Sequence, residues 1–290
     1  MSGQVFSLPD GRKLGYKVIG KGKPVLYFHG TASSRLEIML LKKLATAKLQ
    51  IIGIDRPGYG LSTFKYRKDL QDFNSDVNYL TDYLGIERFA VLGWSGGGAF
   101  ALAYLALFPE RVTKAVIVST PALPFDVSTA HNMPFARFAM KIPFVGFLAI
   151  KQFSYQVRSA YGDMSAFLGS RQGRQLLHSC SKSDLVFFSD PSWMRLLFQS
   201  MAEAFRQGNQ GVKAAVVEHQ IFMKPWNISF SRISPGKLFI WHGSEDKTCR
   251  VTNAHAISCV VSCSIEIFGG KGHCVMFDNL EKLSEILMSN

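Results

Sequence analysis

The five cysteines of this chain (Cys180, Cys249, Cys259, Cys263 and Cys274) are odd in number and contain no C-x-x-C pair. That argues against a disulfide framework and a cysteine-based zinc site, and it fits a reducing compartment. No spacing of histidines with carboxylates suits a metal ion either. The first residues, Met1-Ser2-Gly3-Gln4, lack a basic lead into an apolar stretch, and Asp10-Gly11-Arg12 interrupts soon after. A secretory signal is therefore not expected, and the expected location is cytoplasmic. The apolar run Ile142–Ile150 is about half of the roughly 20 residues that a spanning helix needs. No Lys/Arg block interleaved with aromatics appears, so no nucleic-acid partner is expected. The glycine-rich segment from Gly93 to Gly98 follows a strand pattern, but Trp94 and Ser95 stand where a dinucleotide fingerprint needs a bare turn. No cofactor is expected.

What is present is a chain of 290 residues with 47% hydrophobic content, enough for one well-buried core plus an insertion. Its net charge of +12 reads as a generally basic surface. Periodicity predicts an opening hairpin, Gln4–Leu8 and Lys13–Ile19, turning at Pro9-Asp10-Gly11-Arg12. Short apolar strands then alternate with helical patterns. The predicted strands are 25–28, 51–54, 89–92 and 114–118, and the predicted helices are 35–48, 69–84 and 99–107. Such alternation implies right-handed crossovers and a mostly parallel sheet covered on both faces, an α/β fold.

The rhythm breaks after Pro121. A basic, Phe- and Met-rich, helical stretch follows, and alternation resumes with the strand 237–241, a helix near 252–260, the strand 264–268 and a terminal helix 280–288. The expected organisation is a core of residues 1–124 and 233–290, with 125–232 as a helical cap over the C-terminal edge of the sheet.

Gly93-Trp94-Ser95-Gly96-Gly97 lies between a predicted strand and a predicted helix. This is the setting that gives G-x-S-x-G its meaning, a nucleophilic serine on a sharp turn. A serine hydroxyl needs a histidine to take its proton and a carboxylate to orient that histidine. Chain order points to His273, in a glycine-rich loop after the last strand; His255 falls inside a helical pattern and reads as structural. Asp246 follows the strand ending at Trp241-His242-Gly243, with Glu245 pointing elsewhere and Asp126 the competing acid. The oxyanion donors are expected to be the N–H groups of Gly96 and Thr31. His29 is expected to brace its loop, and Asp55-Arg56 to anchor its own.

The ordered set His29-Gly30-Thr31, Asp55 to Ser62 (DRPGYGLS), Gly93 to Gly98, His242 to Asp246 and Gly272-His273 resembles the α/β-hydrolase superfamily over most of the chain outside the cap. The resemblance implies an eight-stranded sheet whose second strand is antiparallel, a cap between strands six and seven, and a cofactor-free mechanism. It assigns Ser95, Asp246 and His273 to the triad, and Thr31 and Gly96 to the oxyanion hole. Serine at the elbow separates the chain from dehalogenases and epoxide hydrolases, which need aspartate there, and from dienelactone hydrolases, which need cysteine. Thr248-Cys249-Arg250-Val251 departs from the valine-proline pair common in relatives. The cap resembles nothing identifiable, so no substrate carries over.

Between Pro124 and Gly236 there are 12 Lys/Arg against 6 Asp/Glu, together with Phe135, Phe138, Met140, Phe144, Phe147, Leu148 and Phe153. The expectation is an apolar inner face that receives an acyl chain and a cationic outer face with weak affinity for anionic membrane. The alternative is that the aromatics only pack the cap. The expected function is hydrolysis of a small carboxylic ester. The same residues would serve an amidase, a thioesterase or an acyltransferase, and the fold also permits a ligand-binding receptor with little turnover. Oligomeric state is not encoded in any pattern.

Overall fold

The computed structural model describes residues 3–45, 48–124, 142–178 and 180–289. Its apolar runs form eight strands: β1 (Gln4–Ser7), β2 (Lys13–Gly20), β3 (Lys23–Phe28), β4 (Leu49–Ile54), β5 (Phe89–Trp94), β6 (Val112–Val118), β7 (Leu238–Gly243) and β8 (Ser264–Phe268). They join in one sheet of order β1-β2-β4-β3-β5-β6-β7-β8. β2 runs antiparallel to β1 and β4, and the pairs from β4 onward are parallel. This is the α/β sheet with one antiparallel second strand that the resemblance implied.

The central strand β5 shows why both faces must be covered. Phe89 and Val91 enter one core cluster, whereas Ala90, Leu92 and Trp94 enter the cluster on the opposite face, the period-two alternation of a strand. On the first face lie α2 (Asn74–Tyr83) and α3 (Gly96–Leu107). Gly96 through Ala106 of α3 are all buried, which accounts for a helix that is apolar all round.

The predicted helix 35–48 takes a different form. A 3-10 segment, Arg35–Leu41, runs into a single turn, α1 (Lys42–Ala45). Its start is fixed by polar anchors. Ser34 Oγ accepts from Leu36 N–H, while the Arg35 N–H and guanidinium both donate to Asp55 at 2.7 Å. Glu37 turns inward to Tyr27 and Gly30. With the segment buried throughout, these anchors favour the tighter i→i+3 winding.

Between β6 and β7 stand six described helices: α4 (Pro143–Gly162), α5 (Met164–Gly169), α6 (Arg171–His178), α7 (Lys182–Ser189), α8 (Pro191–Ala204) and α9 (Asn209–Phe222). α4 packs on α8 and α9, and α8 lies along the 3-10 segment of the core. Phe147 and Phe153 pack with Ile150 against Tyr59, Phe205 and Val212. Phe144 and Leu148, expected on an inner face, are instead 70% and 48% exposed. Helical spacing explains this, because Ile150, Val157 and Ala160 hold the buried face of α4 and positions 144, 148 and 155 fall opposite. Phe135, Phe138, Met140 and the competing acid Asp126 lie outside the described residues. After β7 come α10 (Thr252–Ser258) and α11 (Leu280–Met288). Among the described residues no helix is long and apolar enough to cross a membrane.

Candidate active site

Ser95 stands between β5 and α3 with φ 54° and ψ −130°, a conformation that costs a non-glycine residue about 1–3 kcal/mol. The neighbouring strand offsets this cost. The Ser95 N–H donates to Val118 O at 2.9 Å, and Ser95 O accepts from Gly98 N–H at 3.0 Å. The serine is thereby held at the N-terminus of α3, where the helix dipole is positive.

The loop after β3 brings Thr31 against Gly96. A β-carbon on residue 96 would lie 3.0 Å from the Phe222 ring and closer still to Thr31 Oγ1, so only glycine lets the threonine approach. Among the described residues neither the Thr31 nor the Gly96 N–H has an internal acceptor. The two residues expected to supply the oxyanion donors are thus in close contact, and Gly96 directly follows Ser95 in the chain.

His273 and Asp246 come together from the loops after β8 and β7. His273 Nδ1 bonds Asp246 Oδ2 at 2.8 Å, while Asp246 Oδ1 accepts from the N–H groups of Thr248 and Cys249, each at 2.8 Å. The stretch that departs from valine-proline therefore supplies the donors that fix the acid. Burial works against both charges. It is outweighed for Asp246 by His273 and His242, which hold its carboxyl well below the usual range, and for His273 chiefly by Asp246, which holds the imidazole above its ordinary value. With Nδ1 committed to Asp246, Nε2 is the nitrogen able to take a proton. Trp94, the residue before Ser95, ties the histidine loop to the elbow: its Nε1–H donates to His273 O at 3.0 Å, and the two rings lie 5.4 Å apart.

The other candidates sort as follows. Glu245 is exposed, and His255 sits exposed on α10. His29 is fully buried, with Nδ1 bonded to Gly30 O at 2.8 Å. Burial and then Arg56 push its pKa well down, so it is neutral. Asp55 anchors its own loop, accepting from Leu61 N–H at 2.8 Å besides Arg35. Arg56 does more than that. It donates to His29 O at 2.5 Å, to Gly30 O at 3.1 Å and to both carboxylate oxygens of Glu218 at 2.8 and 2.6 Å.

Glu218, Asp184 and Glu37 were not singled out by the sequence. Glu218 on α9 accepts from Arg56, from Arg67 at 3.2 Å and from the Thr31 hydroxyl. Burial would raise its pKa, but Arg56 and Arg67 prevail and lower it to about 2. Asp184 on α7 accepts from the N–H groups of His273 at 3.0 Å and Cys274 at 2.8 Å. Glu37 accepts from Tyr27 Oη at 2.7 Å and from Gly30 N–H at 2.8 Å, and burial raises its pKa. The only local signal was a charged residue within a largely apolar helical stretch, as in Ala214-Ala215-Val216-Val217-Glu218.

The family model described as alpha/beta hydrolase fold matches residues 23–280. The chain is 34% identical over 110 residues to the "Uncharacterized hydrolase YcgS" of Bacillus subtilis (strain 168), covering 38% of this chain and 39% of that protein. Matches to the first curated relatives span between 34% and 52% of their lengths. Over 286 residues the chain is 23% identical to a "Non-heme haloperoxidase" of Rhodococcus erythropolis, covering 97% of this chain and 96% of that one. Among solved structures, an esterase from Exiguobacterium antarcticum is similar in fold, with a TM-score of 0.66 at 22% identity over 99% of this chain and 98% of that one.

Proposed function

The chain belongs to the alpha/beta hydrolase fold family, and from that premise we propose that it is a serine hydrolase that cleaves carboxylic esters through an acyl-enzyme on Ser95. The observation that carries this reading is the strained Ser95 next to Thr31 and Gly96, joined through Trp94 to the His273–Asp246 pair.

In the proposed reaction His273 Nε2 takes the Ser95 proton as Oγ attacks the ester carbonyl. Asp246 stabilises the imidazolium, and the Thr31 and Gly96 N–H groups receive the developing oxyanion. Collapse of the tetrahedral intermediate breaks the bond to the alkoxide, which leaves as the alcohol with the proton from His273. Water, deprotonated by the same imidazole, then attacks the acyl-enzyme. Collapse of the second intermediate releases the acid and restores Ser95. The substrate is proposed to be a small ester with an apolar acyl group, with the helices between β6 and β7 acting as a cap.

Hydrolysis of p-nitrophenyl esters of increasing acyl length, by wild type and Ser95→Ala in parallel, tests the proposal. Turnover that is lost in the variant supports it, and the preferred acyl length gives the size of the acyl site. Folded wild-type protein that turns over no ester would overturn it in favour of an amide, a thioester or ligand binding without turnover.

A further inference from the structure

The helical segment between β6 and β7 joins the core through two chain ends, and on connectivity alone it could move as a lid. Two buried carboxylates argue otherwise. Glu218 and Asp184 leave the segment at different points, and each ends on a different loop of the candidate active site.

Glu218, on α9, is completely buried. One of its oxygens accepts from the Thr31 hydroxyl and from Arg56 Nη2, and the other from Arg56 Nε and Arg67 Nη2. Arg56 passes the constraint on, because its remaining donors hold the carbonyls of His29 and Gly30. The peptide whose N–H is the Thr31 donor is therefore held at both its carbonyl and its side chain. Asp184, on α7, meets the opposite loop. Its two oxygens take the N–H groups of His273 and Cys274, and Ser183 Oγ takes that of Gly272 at 2.8 Å. Three consecutive amides thus end on the first turn of α7. The approach is so close that a β-carbon on Gly272 would overlap Ser181 Oγ and Asp184 Oδ2.

We propose that this helical segment is a fixed clamp rather than a swinging lid, with Glu218 positioning the oxyanion loop and Asp184 positioning the histidine loop. Seating the segment and assembling the two loops are then one event. The proposal rests on the serine-hydrolase reading for its kinetic consequence, though not for its structural one. Catalytic groups must be held to within about 0.5 Å of their working geometry, and Glu218 and Asp184 add to each loop hydrogen bonds that come from outside it.

Asp184→Asn and Thr31→Val, with Thr31→Ser as the conservative control, test the clamp. An asparagine offers one acceptor oxygen to two amides and turns a donor on the other, so the histidine loop loosens. Valine keeps the shape of threonine and the N–H but drops the hydroxyl. Hydrogen exchange of the amides in 269–277 should accelerate in Asp184→Asn, and in 28–34 in Thr31→Val. The kcat for an ester should fall by roughly 10- to 100-fold in each with KM little changed, and Thr31→Ser, which keeps the hydroxyl, should recover most of what Thr31→Val loses.

A pH profile separates positioning from simple destabilisation. The charged groups facing His273 are Asp246 from the β7 loop, Asp184 from α7 and Glu37 from the 3-10 segment. Removing the Asp184 charge should move the acid limb of kcat/KM to lower pH, which loss of stability alone would not do. Unchanged exchange in both loops overturns the clamp, as does faster exchange with unchanged kcat and an unmoved acid limb. Wild-type protein without esterase turnover would end the serine-hydrolase reading, and the exchange data would still decide the clamp.

Discussion

Replacing Gly96 with alanine adds one methyl group where the structure has no space for it. The new β-carbon would press on Phe222 at 3.0–3.1 Å and overlap Thr31 Oγ1. Relieving that overlap requires a shift of about 1 Å, measured against the ordinary carbon contact range. The threonine cannot rotate away cheaply, because its hydroxyl is bonded to the buried Glu218. Its backbone moves instead, and with it the Thr31 N–H. Loss of one oxyanion donor costs about 10²- to 10³-fold in kcat, or roughly 3–4 kcal/mol. The helix itself gains up to about 1 kcal/mol from the exchange of glycine for alanine, so the expected signature is a large kcat loss with little change in thermal stability. Steady-state hydrolysis of a p-nitrophenyl ester and thermal melts measure the two sides. In a Thr31→Ala background the overlap with Oγ1 is absent, and the same alanine at 96 should cost much less, a coupling of about 1–2 kcal/mol. A kcat within threefold of wild type, or an equal cost in both backgrounds, would refute the reasoning.

Three other outcomes follow. The base must be neutral to work and His273 is held above its ordinary 6.5, so the acid limb of kcat/KM should lie above that pH; a limb well below it contradicts the His273–Asp246 pairing. Glu218 is lowered from its ordinary 4.5 to about 2. Its stabilisation is therefore complete above about pH 4.5 and lost as pH falls towards 2, by up to roughly 3 kcal/mol. The urea-stability gap between wild type and Glu218→Gln should shrink over that range, and a constant gap would contradict the ion pair. The outward stripe Phe144, Leu148 and Tyr155, 70%, 48% and 71% exposed, is the surface on which the expected contact with anionic lipid would fall. Co-sedimentation with anionic vesicles at physiological salt, lost in Phe144→Ser/Leu148→Ser, supports that contact, and failure of the wild type to sediment ends it.

The parts of this protein legible in its sequence are those whose chemistry is local. The elbow can be read because a strand, a strained serine and close-packed glycines must be consecutive, and the positive φ of Ser95 is the geometry those neighbours permit. Strand alternation gave the sheet because buried parallel strands need continuous apolar runs. Asp246 follows from chain order, yet what fixes it, the amides of Thr248 and Cys249, lay in the stretch that looked irregular. Glu218 and Asp184 were illegible for a physical reason. Their partners lie 187 and 89 residues away in the chain, and a single acid on a helix looks the same whether it meets water or a buried amide. Arg56 was read as a local anchor because its span towards α9 has no trace in the residues beside it. Phe144 and Leu148 were misplaced because composition counts apolar residues without saying which side of a helix they occupy.

The central claim is that Ser95 is a nucleophile activated by His273. Intact-mass and peptide-mapping spectrometry after exposure to a fluorophosphonate probe tests it most directly, because the probe reports the activated hydroxyl without a known substrate. The account predicts a single adduct on the peptide containing Ser95, absent in Ser95→Ala and strongly slowed in His273→Ala. An adduct elsewhere, no adduct on folded wild-type protein, or labelling that ignores His273 would contradict it.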